Sequence, residues 1–265
     1  MRRLTKHHGL GNDFLVALEA HNPGIVPDPD FARRVCDRRR GVGADGLILG
    51  LGPARDEDDV CMVLLNSDGS EAEISGNGIR CLAQAVLRDA GRDEGDLRIE
   101  TPRGVRTVHT VRGDADGEMW IRVGMGEVGP GPEPGPRTRE YPAQRHVTLD
   151  VGNPHLVLLV DDPASVDLGV DGPRLESEYP EGINVHAIRV TDRASIELRV
   201  WERGAGITEA CGSGAVAAVA AAHGWGLVDE RVGVAMPGGE ATVELDGDEA
   251  LLTGPTVFVA EVSVP

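Results

Sequence analysis

Lysine is almost missing from this chain: Lys6 is the only one, and the rest of the side-chain positive charge is arginine. Pyridoxal phosphate enzymes hold their cofactor as a lysine Schiff base. That chemistry would have to rest on a residue beside the N-terminus, so no such cofactor is expected. Aromatic residues make up only 3% of the 265 positions, so the cores must be built from Val, Leu, Ile and Ala. No apolar run approaches the roughly 20 residues that span a bilayer. The opening MRRLTKHHGLGNDFLV has too short an apolar stretch for a signal sequence. No membrane partner is expected, and a cytoplasmic setting is the default. The four cysteines, at 36, 61, 81 and 211, show no Cys-x-x-Cys spacing, and the histidines show no ligand spacing. Free thiols are predicted, with no disulfide framework and no metal. The formal net charge of −18 repels phosphate backbones, which argues against nucleic acid as a partner.

A chain of this length exceeds the usual single domain, so two modest domains are expected. The Pro/Gly-rich stretch GMGEVGPGPEPGPR lies near mid-chain and reads as their connection. It divides an N-terminal domain, 1–125, from a C-terminal domain, 139–254, with a linker at 126–138. On both sides run short segments rich in Val, Ile and Leu with partial alternation, such as VCMVLL, VRTVHTV, HLVLLV and SIELRVW. Each half also holds one apolar helical stretch, Gly78 to Ala90 and Gly214 to His223, closed by Gly91 or Gly224. The second is almost all Ala and Val, which suits a helix enclosed by a sheet.

The two halves align. Ser75-Gly76-Asn77-Gly78 and Cys211-Gly212-Ser213-Gly214 open the two helices 136 residues apart. Pro102 and Pro237 lie 135 apart, Gly91 and Gly224 133, and the Gly-Asn pairs at 11 and 152 lie 141 apart. Nine residues before each helix opening, after a strand, stand Asn66 and Glu202. Unrelated loops would not keep this order. The chain is therefore predicted to contain two similar domains related by approximate two-fold symmetry.

A helix start exposes backbone N–H groups and the positive end of the helix dipole, so two glycine-rich starts serving one pocket would trap a carboxylate. The residue opening each start can reach the ligand, and a thiol there is expected to have a lowered pKa. Stereoinversion at an α-carbon needs one group to remove a proton from one face and another to deliver a proton to the other. Ser75 and Cys211 are the candidates for those roles. Either tetrapeptide alone is most simply a helix cap; their duplication is what points to a site. Gly41-Val-Gly-Ala-Asp-Gly46 matches a dinucleotide fingerprint in letters only, because a helical pattern precedes it and an apolar strand follows. Arg38 to Arg40 reads as a solvated helix end, Cys36, Cys61 and Cys81 as core, and His7-His8 as an exposed pair.

Six ordered blocks resemble diaminopimelate epimerase: HGLGNDFLV at 8–16, RRRGVGADG at 38–46, NSDGSEAEISGNGIRC at 66–81, DVGNPH at 150–155, EGINV at 181–185 and WERGAGITEACGSGA at 201–215. The resemblance implies an α/β (α+β) fold of two pseudo-symmetric domains, each a strand-rich sheet or barrel wrapped around a central helix, with the active site in the cleft between them. It also implies that a C-terminal strand, 255–265, returns to the first domain. Cys211 would be one catalytic acid/base. Gly76, Asn77, Gly212 and Ser213 would hold the reacting α-carboxylate. Asn12, Asn66, Asn153, Asn184, Glu202 and Arg203 match substrate-binding positions, with Arg203 on the distal carboxylate, while His155 and Glu202 would tune the thiols. The implied reaction is cofactor-free epimerisation of LL- to meso-diaminopimelate, and a homodimer is common in such proteins.

Two positions depart from the family pattern. Ser75 stands where the family has cysteine, and Ile207 where it usually has an acidic residue. A serine hydroxyl is a poor base without an activating partner. Three readings of Ser75 stay open at this point: a substitution that impairs an ordinary epimerase, a natural residue serving a different reaction such as hydroxyproline dehydration, or an amino-acid-binding protein without turnover.

Overall fold

The structure, a computed structural model, describes residues 1–72, 75–113 and 117–265. Two compact units emerge: unit 1 comprises Met1–Gly124 with Thr253–Pro265, and unit 2 comprises Met125–Leu252. Unit 1 contains β1 (Arg2–Gly9), β2 (Asn12–Leu18), α1 (Pro29–Cys36), β3 (Gly46–Leu51), β4 (Val60–Asn66) and β5 (Glu71–Ala72). There follow α2 (Gly76–Asp89), β6 (Asp96–Thr101), β7 (Gly104–Gly113) and β8 (Glu118–Gly126), along whose last residues the chain passes into unit 2. Unit 2 contains β9 (Gly129–Pro130), α3 (Pro136–Arg139), β10 (Arg145–Asp150), β11 (Pro154–Leu159), α4 (Leu168–Glu176) and β12 (Asn184–Asp192). It continues with β13 (Ser195–Glu202), β14 (Gly206–Thr208), α5 (Gly212–Gly224), β15 (Arg231–Met236), β16 (Gly239–Asp246) and the start of β17 (Glu249–Val264). Residues 126–138, expected as a linker, include β9, which pairs with β10, and the beginning of α3.

The duplication holds strand for strand. In unit 1 the pairings β1/β2, β2/β3, β3/β4, β4/β6 and β6/β7 run antiparallel, parallel, antiparallel, parallel, antiparallel. Unit 2 repeats that sequence in β10/β11, β11/β12, β12/β13, β13/β15 and β15/β16. The small strands β5 and β14 branch from β4 and β13 at matching places. In unit 1, β8 pairs with β7 and with β17, and β17 pairs with β1. The ring of eight strands is thereby closed, which leaves the barrel no open edge.

Closure around a helix explains why the strands read as continuous apolar runs. In β2 all five residues from Asp13 to Ala17 are buried. Leu15 and Ala17 join Phe31, Ala32 and Val35 of α1 in one core, so the alternate residues Phe14 and Val16 point to the opposite face, and α2 also packs on β2. In unit 2, Leu156 and Leu158 of β11 pack with Leu168 and Leu175 of α4 in the same manner. α5 is buried from Gly212 through Val219, as its Ala/Val composition predicts. α2 departs from that expectation, because Arg80 and Gln84 lie wholly buried inside the barrel.

The helix ends correct one sequence expectation. α2 stops at Ala90 with Gly91 at φ +66, and the Arg92 N–H donates back to the Leu87 carbonyl at 2.9 Å. In α5 the matching positive φ, +75, belongs to Gly226, with the Leu227 N–H donating to Ala222 O at 3.0 Å. Gly224 is the last residue of the helix itself. A left-handed residue is what ends a helix this way, and Gly91 with Gly226 restores an offset of 135 residues, equal to that of the two prolines. Those prolines sit in matching two-residue hairpins, closed by Thr101↔Gly104 and Met236↔Gly239.

Candidate active site

Ser75 and Cys211 occupy the same structural position in their units. Both are N-caps with extended backbone, φ −148 and −132. Ser75 Oγ accepts from the Gly78 N–H at 3.0 Å, and Cys211 Sγ accepts from the Gly214 N–H at 3.4 Å. Each side chain thus satisfies one of the helix's orphan donors and is held at its positive end.

The chemistry of the thiol is not set by the helix alone. Cys211 is buried, 3.7 Å from Ser213 Oγ, and its thiol interacts with the Glu202 carboxylate. Burial, then the negative charge and hydrogen bonding of Glu202, push its pKa well above the ordinary thiol value, while the Gly214 N–H and Ser213 pull the other way and lose. The lowered pKa expected from the helix start is therefore corrected: in the resting protein Cys211 is a protonated thiol beside a carboxylate. Glu202, at the end of β13, also accepts from Thr208 Oγ1 at 2.5 Å. Ile207, next to Thr208 on β14, is 64% exposed.

Within the same unit, the other polar residues are ordered through backbone and imidazole contacts. Asn184 donates to the Pro154 carbonyl at 2.9 Å and accepts the Arg203 N–H at 3.0 Å. One arm of Arg203 donates to the Glu181 carbonyl at 2.8 Å. His155 Nε2 lies 2.8 Å from Asn153 Oδ1 and its Nδ1 lies 2.7 Å from His186 Nε2. Both rings are fully buried; burial drives His155 well below the usual imidazole range and His186 to about 3. His155 is thus neutral, and its direct partners are Asn153 and His186.

In unit 1 the first turn of α2 is bound into a polar chain. Asn77 Nδ2 donates to Asn12 Oδ1 at 3.1 Å, and Asn12 Nδ2 donates to Asp45 Oδ2 at 2.8 Å. Arg80, one turn on, donates to Asn77 Oδ1 at 2.7 Å and to the Gly76 carbonyl at 3.2 Å. Asn66 donates to Ser70 Oγ at 3.0 Å. Arg38 bridges Asp13 and Asp45, at 2.7 and 2.6 Å, so it is no mere solvated helix end. Burial alone would raise the Asp13 pKa, but hydrogen bonds from Arg38 and Lys6 outweigh it and hold the carboxyl low.

Beyond Arg38, three more side chains differ from the sequence reading or carry no signal in it. His7 is wholly buried, with Nδ1 2.8 Å from Gln84 Oε1, while the pair had been expected outside. Arg80 is a buried cation with hydrogen bonds from all sides of its guanidinium to neutral acceptors, Pro255 O included. His186 carried no signal beyond a polar letter in the apolar run NVHAIRV. Cys36 and Cys81 are buried, Cys61 is half-buried, and all four thiols are free. Among the described residues no helix is long and apolar enough to cross a membrane.

A family model described as diaminopimelate epimerase matches residues 4–129 and 147–259. The chain is 39% identical to a diaminopimelate epimerase of Alkalilimnicola ehrlichii, over 98% of both chains. It is 40% identical to that of Methanothermobacter thermautotrophicus, over 96% of both. Among solved structures, a predicted epimerase of Pseudomonas aeruginosa shares the fold at a TM-score of 0.76, with 17% identity across 100% of this chain and 99% of the other. A family model over most of the sequence and identity at this level over nearly the full length show that the chain belongs to the diaminopimelate epimerase family.

Proposed function

We propose that the chain interconverts LL- and meso-diaminopimelate by proton transfer at one α-carbon, with Cys211 as the proton carrier on one face. The observation that carries the reading is the buried Cys211 thiol capping a helix N-terminus, where it accepts the Gly214 N–H at 3.4 Å and feels the Glu202 carboxylate. For removal of the α-proton, Glu202 takes the thiol proton, leaving a thiolate that the Gly214 N–H and Ser213 stabilise. The sulfur then takes the α-proton as the C–H pair moves onto the α-carbon and its carboxylate. In the reverse sense the protonated thiol delivers its proton to the carbanion. The first-turn amides of α2 and α5, at Gly76, Asn77, Gly212 and Ser213, suit the charge that grows on that carboxylate. Arg203, Asn12, Asn66, Asn153 and Asn184 supply donors for the rest of a substrate with a second amino-acid head group.

A lysine Schiff base has no place in this reading, since Lys6 Nζ donates to the Gly43 carbonyl at 2.7 Å and pairs with Asp13 at 2.8 Å. The same reading includes a cytoplasmic setting and a homodimer, which rest on the family likeness. On the face assigned to residue 75, a serine replaces a thiol. Its hydroxyl can donate a proton but is a weak base, so inversion by the chain as it stands is expected to be slow.

The test is incubation of LL-diaminopimelate in deuterated water. Deuterium should enter at the α-carbon, entry should stop in Cys211→Ala, and Ser75→Cys should raise inversion by about 10²- to 10⁴-fold. Absence of both exchange and inversion in Ser75→Cys overturns the substrate assignment. Ser75 itself favours one second reading, dehydration of a hydroxyproline, which would release a cyclic imine when that substrate replaces diaminopimelate.

A further inference from the structure

Within unit 2, Asn153, His155 and His186 form a line that ends blind. His155 lies 2.8 Å from Asn153 Oδ1 on one side and 2.7 Å from His186 Nε2 on the other, with the two ring centres 5.0 Å apart and the ring planes at 28°. His186 Nδ1 is buried and has no hydrogen-bond partner among the described residues. Its ring lies against the first turn of α5, where a Cβ on Gly214 would fall 2.5 Å from Cε1.

The proton positions follow. A buried nitrogen without a partner is less costly as a lone pair than as an N–H, so the His186 proton sits on Nε2 and is donated to His155 Nδ1. His155 must then carry its own proton on Nε2 and donate it to Asn153 Oδ1. Both rings are neutral, as full burial requires. With its carbonyl occupied, Asn153 has its NH2 left as the end available to a ligand.

The duplication supplies an internal control. The parallel pairs His155↔Asn184 and Val157↔His186 correspond in unit 1 to Phe14↔Gly46 and Val16↔Ile48. The places of His155 and His186 are thus held there by Phe14 and Ile48, both buried. The architecture does not need imidazoles at these positions, and unit 2 carries two.

We propose that His186 is a positioning residue: its Nε2–H anchors the ring of His155, whose own Nε2–H then holds the Asn153 carbonyl and leaves the amide NH2 to face a substrate carboxylate. The carboxylate end of this statement rests on the epimerase reading; the tautomer does not. Without the His186 donor, His155 Nδ1 is left as a bare lone pair and the ring loses the bond that fixes its orientation, so its Nε2–H no longer holds the Asn153 carbonyl in place and the amide is free to turn.

Two measurements test it. Imidazole 15N NMR of the intact protein, without substrate, should show His155 and His186 each protonated at Nε2 alone; a His155 proton on Nδ1, or a cationic ring at neutral pH, overturns the relay whatever the substrate proves to be. Kinetics are measured in a Ser75→Cys background. His186→Ile, the unit 1 residue, should raise the KM for diaminopimelate about 10- to 100-fold with a smaller change in kcat. His186→Gln, whose amide N–H can still donate to His155, should stay near the parent KM. The double variant His155→Phe/His186→Ile should fold cooperatively and show the same KM defect. An unchanged KM in His186→Ile, or equal losses in the Gln and Ile variants, removes the positioning role.

Discussion

At Cys211 the helix N-terminus is opposed by burial of the thiol and by the neighbouring Glu202 carboxylate, and burial together with the carboxylate prevails. Glu202→Gln removes the negative neighbour but leaves the burial. The thiol pKa should therefore fall, while staying above that of an exposed cysteine, as read from the ultraviolet absorbance of the thiolate against pH. Among the described residues Ser75 lacks such a setting in its hydrogen bonding: its Oγ accepts one helix N–H, as a cap does. Ser75→Ala should cost about 1 kcal/mol of stability by loss of that cap. The measurement is urea unfolding followed by far-ultraviolet circular dichroism.

The two central helices look alike in their openings and differ in what surrounds them. Gly214 faces the His186 ring, where an added Cβ would fall 2.5 Å from Cε1, whereas a Cβ on Gly78 would meet nothing nearer than 3.2 Å, the distance of the Met62 methyl and of Ser75 Cβ and Oγ. Gly214→Ala should therefore destabilise by about 1–3 kcal/mol through overpacking against a ring that cannot easily move. Gly78→Ala should cost less, because a methionine end can give way and alanine favours the helix. Equal losses in thermal unfolding for the two variants would contradict this contrast. α2 further differs in carrying Arg80 and Gln84 into the barrel, where they hold Asn77, the Gly117 carbonyl and the returning β17.

Stability as a function of pH belongs to the folded chain as a whole. Burial lowers His7 to about 4 and His186 to about 3, and it lowers His155 too, so the folded state keeps three neutral imidazoles. A histidine whose folded pKa is depressed contributes fully above its unfolded value near 6.5. As pH falls below that, the unfolded chain binds protons first and stability drops until the folded pKa is reached. Each such group should cost about 1.4 kcal/mol per pH unit in that window. Asp13 acts in the same sense at lower pH, since its depressed pKa gives stability above the ordinary carboxylate range that is lost as acid protonates it. Urea midpoints should therefore decline from pH 7 to pH 4.5, and His155→Phe/His186→Ile should flatten the decline. A midpoint independent of pH over this interval would show that the rings are not held neutral.

The features legible in the chain were those written in neighbouring residues. Glycine-rich helix openings, a helix of alanine and valine, matched prolines and their common spacing are local signals, and they are enough to announce the duplication, though not the order in which its strands pair. Cys211 and Ser75 were found for the same reason: an N-cap position is defined within four residues. What burial and pairing decide could not be found that way. His155 meets His186 only because parallel β11 and β12 bring together residues 31 apart in sequence. His7 reads as one of an exposed pair, and Arg80 and Gln84 show no sign of their buried partners, until the barrel closes around them. The thiol pKa was misjudged because the local helix favours the thiolate, whereas desolvation and the charge of Glu202 exist only in the folded chain. Short-range backbone chemistry is written in the sequence; the dielectric around a side chain, and the identity of its distant partners, arise only when the strands come together.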